Sequence, residues 1–152
     1  LGTNLALAAI LGLMIWLGGP APVLLIFLPT SMVAGTIGVW LFYVQHQFEE
    51  THWAKGDDWQ LHEAALAGSS HYVLPQPLRW LSANIGIHHV HHLYSRIPFY
   101  RLPEILRDHS ELASAQRLTP LESLRSVNLH LWDEKLGRLM SFREARQLYG
   151  AS

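Results

Sequence analysis

The sequence predicts an all-α membrane protein: a transmembrane helical hairpin over residues 1–45, then a mainly helical cap over residues 46–152 that carries a histidine-based metal site. Three observations lead there. Leu1 to Phe48 contains no Lys, Arg, Asp or Glu, whereas every charged residue lies from Glu49 onward. The uncharged stretch holds two apolar runs, LALAAILGLMIWL and VLLIFLPTSMVAGTIGVWLFYV, separated by the helix-breaking cluster Gly18-Gly19-Pro20-Ala21-Pro22. Four histidines, His88, His89, His91 and His92, occupy five positions in a chain whose ten histidines are its compositional outlier.

Composition removes several alternatives. A chain of 152 residues suits one ordinary domain, and with no cysteine it has no disulfide, thiolate metal ligand or cysteine nucleophile. The net charge is -1, and the eleven Lys and Arg are interspersed with acids, which argues against a nucleic-acid partner.

A spanning helix needs about 20 apolar residues. The second run meets that length. The first, Leu5 to Leu17, falls short, and because the chain opens inside an apolar pattern its first helix is expected to be truncated. No basic segment precedes the runs, which disfavours a signal peptide. All eleven cations follow the second run and none stands in the Gly/Pro turn, so the cap is expected on the cytoplasmic face of a multi-pass membrane protein. Trp16 and Trp40 fall near the predicted membrane boundaries, where indole rings are favoured.

From Trp40, WLFYVQHQFEETHW contains no breaker, so the second helix is expected to continue a few turns beyond the lipid, with His46 just above its surface. Gly56-Asp57-Asp58 predicts a turn, and WQLHEAALAGS a short amphipathic helix with Trp59 and Leu61 available to the interface. Pro75 and Pro77 interrupt the chain before the histidine cluster, and Pro98 and Pro103 after it. Thr119-Pro120-Leu121-Glu122 has capping-box spacing with proline at the first helical position; Ser141-Phe142-Arg143-Glu144 repeats the spacing, and Gly150 could end that helix. No strong strand alternation appears.

If residues 84–93 are helical, His88, His91 and His92 stand at i, i+3 and i+4 and share one face. His89 then points about 100° away. Because His89 and His92 are also an i, i+3 pair, spacing alone leaves open which histidines bind. Neutral imidazole suits zinc, copper, iron and nickel. The cluster is internal and contains apolar Val90, unlike an affinity tag, so metal binding is favoured over solvated surface histidines. His52, His62, His71, His109 and His130 are isolated and read as surface or hydrogen-bonded residues.

NIGIHHVHHLYSRIPFY resembles the third histidine box, H-x-x-H-H, of the membrane fatty acid desaturases. WLFYVQHQFEETHW resembles the segment where the last membrane helix of bacterial acyl-lipid members emerges into the cytosol, and LRSVNLHLWDEKLGRLMSF resembles their C-terminal tail. The resemblance implies a histidine-ligated di-iron enzyme that uses O2 and two electrons to introduce a double bond into an acyl chain. Carried over by position, His88, His91 and His92 would be iron ligands and His46 a fourth. Asn84 would orient a ligand or a bound water, and Glu49, Glu50 and His89 could stand in an outer shell around them. Phe42, Tyr43 and Phe48 flank His46 and could line a passage for the acyl chain.

The family has two earlier histidine boxes, and no histidine precedes His46 here, so the chain is expected to be a C-terminal fragment, inactive alone. The implied partners are the lipid bilayer, an acyl-lipid or acyl-thioester substrate, and a separate ferredoxin or cytochrome-like electron donor. Arg96, Arg101 and Arg107 form a loose basic set that could meet that donor. The alternatives are a related di-iron hydroxylase or ketolase, or a membrane metal-binding protein without redox chemistry. A transporter pore is disfavoured because the apolar runs hold no ionisable residue.

Overall fold

The computed structural model describes residues 1–150. The chain divides into two compact units, Leu1–Trp40 and Leu41–Ser152.

The first unit is built from apolar helix. Helix α1 (Gly2–Gly18) ends where Gly19 takes φ 74°, a left-handed conformation that glycine adopts without steric cost, and Pro20 follows. The chain then re-enters helix through a π turn, Val23–Phe27, and continues as α2 (Leu28–His46). Pro29 explains the wide turn, because a proline inside a helix has no N–H and crowds the carbonyl four residues back. Widening absorbs the crowding, and the Leu28 N–H reaches the Val23 carbonyl, five residues away. Val23–His46 is 24 residues long with mean hydropathy 1.9, long and apolar enough to cross a membrane; α1 is shorter. Leu25, Val39 and Trp16 are 75%, 69% and 80% exposed, an apolar surface that suits lipid better than water.

The second unit corrects the all-α expectation: it is mostly helical but contains two small sheets. After α2 come α3 (Leu61–Ala67), strand β1 (His71–Tyr72), α4 (Gln76–Leu81), α5 (His88–Leu93) and α6 (Leu102–Asp108). Strand β2 (Arg117–Leu118), α7 (Pro120–Ser123), β3 (Leu131–Asp133), β4 (Arg138–Met140) and α8 (Phe142–Tyr149) complete it. Strands β1 and β2 pair in parallel through Tyr72 and Leu118, and β3 and β4 form an antiparallel hairpin. Two- and three-residue strands are too short to show alternation. The hairpin is made by Asp133, whose Oδ1 accepts from the N–H groups of Lys135 and Leu136 at 2.8 and 2.9 Å while Gly137 supplies φ 62°. Trp132-Asp133-Glu134 thus gains a structural role that its sequence did not disclose.

Helix α2 stops at His46 instead of running on for several turns, since the buried ring of Phe48 draws the chain into the core. Around α5 the core is Ile87, Val90 and Leu102, with Ile97, Ile105, Leu106 and Leu112 packed against it. The Thr119–Glu122 capping box forms as expected, although α7 gives way to a 3-10 segment after Ser123. Ser141 accepts from the Glu144 N–H at 3.1 Å and starts α8.

Candidate metal centre

Helix α5 begins at His88, not at Asn84. After α4, Ala83 and Asn84 adopt φ 54° and 51°, and the Asn84 N–H closes back on the Arg79 carbonyl at 2.8 Å. Gly86 then passes so close to β1 that a Cβ there would lie 2.3 Å from the Tyr72 carbonyl oxygen. The two positive φ values forbid a right-handed helix through 83–84, and the close approach at 86 leaves room only for glycine. Asparagine tolerates the left-handed region; alanine there is strained by about 1 kcal/mol or more, a cost the surrounding packing offsets.

Within α5, the i, i+4 spacing puts His88 and His92 on one face, and their Nε2 atoms are 3.1 Å apart. The last residue of α2 supplies a third imidazole: His46 Nε2 lies 3.0 Å from His92 Nε2 and 3.3 Å from His88 Nε2. The Nδ1–H of His46 is taken by the Phe42 carbonyl at 2.8 Å, which leaves Nε2 as the lone-pair nitrogen facing the other two rings. His46, His88 and His92 form a group able to hold a metal ion.

The geometry fits a first-row metal. Imidazole nitrogen binds zinc at about 2.0–2.1 Å, and at such bond lengths nitrogens 3.0 to 3.3 Å apart subtend roughly 90–110° at a shared ion. An Nε2–H on His88 or His92 could bond to the His46 lone pair, whereas the tautomers with Nδ1–H present all three Nε2 lone pairs to a shared ion. Electrostatics favour the neutral, metal-competent form. Burial first, then the neighbouring His92, His46 and His91, push the His88 pKa down to about 3, opposed weakly by the Ile85 carbonyl. Burial, with His46 and His91, lowers that of His92.

The other expected site residues stand outside the triad. The His91 ring stacks on His88 at a centroid distance of 5.6 Å and stays outside the triad. His89 is fully buried, 5.9 Å from the His71 ring, and burial lowers its pKa. Asn84 donates from Nδ2 to the Phe99 carbonyl at 3.0 Å, tying the approach of α5 to the segment beyond it. Glu49 shares a small polar pocket with Arg117 and Arg125, and the Glu50 N–H donates to Gln116. Of the residues expected along an acyl passage, Phe48 is core, Phe42 is exposed, and the Tyr43 hydroxyl donates to the Ser126 carbonyl. Arg101 and Arg107 each pair with a neighbouring acid, Glu104 and Asp108.

Beside His46 runs a mainly apolar groove of about 530 Å³, lined by Thr51, Trp53, Trp132 and Leu139 among others. The two indoles meet edge to face at 6.1 Å, and Lys55 bridges Trp53 to Glu134 across the groove's rim. Sequence reasoning missed this groove, because Trp53 and Trp132 are 79 positions apart and carry no motif. It also missed Gln45, a polar side chain only 1% exposed at the end of an apolar helix, and that oddity was the available signal.

A family model described as fatty acid desaturase matches residues 1–122. A fatty acid desaturase of Bacillus subtilis (strain 168) is 40% identical over 146 residues, which cover 96% of this chain and 42% of that relative. No solved structure matches the chain.

Proposed function

The chain belongs to the fatty acid desaturase family, and from that premise we propose that it forms the C-terminal part of a membrane desaturase's iron centre. The observation that carries this reading is the convergence of three Nε2 atoms, from two separate helices, within 3.3 Å of one another. His46, His88 and His92 hold one iron. His91, whose ring stacks on His88 outside the triad, is left to serve a second iron together with donors beyond the triad. Three imidazoles do not complete a two-iron site, so these residues alone are inactive.

Iron bound there supplies the chemistry that side chains lack, O2-dependent removal of two hydrogens from an unactivated acyl chain, with two electrons from a separate ferredoxin or cytochrome-like donor. The residues do the rest. The Phe42 carbonyl fixes the tautomer and ring plane of His46; burial keeps His88 neutral; the Trp53–Trp132 groove offers apolar walls to the acyl chain. An acyl-lipid or acyl-thioester substrate reaches such a site from the bilayer, and the apolar helices of the first unit form the membrane hairpin, with the histidines on the cytoplasmic side.

Iron analysis of the purified chain, paired with mass spectrometry of acyl chains in cells producing it, tests the reading. Iron that is bound and then lost in His88→Ala supports it, and a chain that binds no iron refutes it. A double bond formed by these residues alone would refute the incomplete-site assignment. A hydroxylated product would refute that assignment too and select the hydroxylase alternative.

A further inference from the structure

The last turn of an α-helix leaves four carbonyls without intrahelical partners. In α2 these belong to Tyr43, Val44, Gln45 and His46, the residues that aim the His46 ring. The Gln47 N–H takes the Tyr43 carbonyl at 2.8 Å. Ser70, fully buried just before β1, takes the next two: its hydroxyl donates to the Val44 carbonyl at 3.3 Å and its N–H to the Gln45 carbonyl at 2.9 Å.

The Gln45 side chain reaches the other way. Its Nε2 donates at 3.1 Å to the Ile85 carbonyl, three residues ahead of His88 in the turn that launches α5. Side chains on either side fasten to different segments, Tyr43 to the Ser126 carbonyl and Gln47 to the Leu129 carbonyl. Gln45 therefore links the end of α2 that carries His46 to the approach of the helix that carries His88 and His92. A buried amide at this junction is placed to set the distance between the two ligand sources.

We propose that Gln45 and Ser70 are positioning residues for the triad: Ser70 fixes the last turn of α2, and Gln45 fixes that turn against α5, so that His46 stays at donor distance from His88 and His92. The proposal rests on the metal reading of the triad and adds residues that touch no metal. Supporting groups of this kind typically alter metal affinity 10- to 100-fold when removed.

Cobalt(II) is the probe, titrated into the whole chain in lipid nanodiscs and followed by its d–d absorption, with thermal unfolding of the metal-free samples in parallel. Gln45→Leu and Gln45→Met each remove the donor and keep the bulk. Both are expected to weaken cobalt binding on the order of 10-fold or more and to shift the d–d band, with unfolding temperatures changed by only a few degrees. Ser70→Ala should show a smaller loss of the same kind, and Ser70→Thr, which keeps the hydroxyl, should restore the wild-type spectrum. Wild-type affinity and spectrum in both Gln45 variants would overturn the proposal, as would lower melting with an unaltered cobalt spectrum. If the unsubstituted chain binds no cobalt, the metal reading itself falls and takes this proposal with it. Binding by the wild type that is unchanged in the variants removes only the positioning role.

Discussion

His46 and His88 are 42 residues apart in sequence, and their Nε2 atoms stand 3.3 Å apart. His92, by contrast, reaches His88 through the local geometry of one helical turn. The triad therefore joins one pair that the helix makes unaided to one imidazole that only packing delivers.

Substitution of His46, His88 or His92 by alanine is expected to weaken metal binding by at least about 100-fold, more than loss of an outer-shell partner typically does. His91→Ala should leave the triad's affinity within a few-fold of wild type while abolishing any second-metal binding. Metal analysis and cobalt titration of the four variants check this. Equal losses from His91→Ala and His88→Ala would contradict the separation seen in the fold.

The metal-free protein should lose stability as the pH falls. The folded pKa of His71 is pushed down to about 4, by burial first and then by His89, Arg117 and Arg79, and that of His88 to about 3. Against an unfolded value of about 6.5, the unfolded state binds protons that the folded state refuses, so stability is full above pH ~6.5 and declines toward pH ~4. Urea midpoints of the metal-free chain between pH 7 and 4 measure the slope. His71→Phe should make it shallower.

Gly86→Ala should destabilise the cap by about 1–3 kcal/mol or prevent its folding, because the new methyl would meet the Tyr72 carbonyl oxygen at 2.3 Å. Only a shift of rigid backbone relieves that contact, and the shift would also disturb the Tyr72 N–H bond to the Gly86 carbonyl, 2.8 Å long. Thermal unfolding against wild type reads the effect; a neutral result would mean that the junction before α5 yields easily.

Two polar surface contacts should differ in value. Thr119→Ala removes the capping box of α7 and should cost about 1 kcal/mol. Glu134→Gln breaks the ion pair with Lys55, whose partners are 67% and 73% exposed, and should change stability by less than about 1 kcal/mol. Denaturant unfolding of the two variants side by side would show the order.

Local sequence sufficed for the division between an uncharged apolar segment and a charged cap, the break at Gly19, the capping box at Thr119, the single cap at Ser141, and the His88–His92 pair. Each is a local property: hydropathy is summed over neighbours, a cap is read within four residues, and i, i+4 proximity follows from helical pitch. Packing alone brought His46 up to His88 and His92, turned Asn84 to Phe99, and carried Gln45 from α2 to Ile85. Packing also placed β1 against β2, whose residues lie 46 positions further on, while the β3–β4 hairpin is local but too short to show an alternating pattern. Contacts between distant segments depend on how the chain packs, and no spacing in the sequence records them.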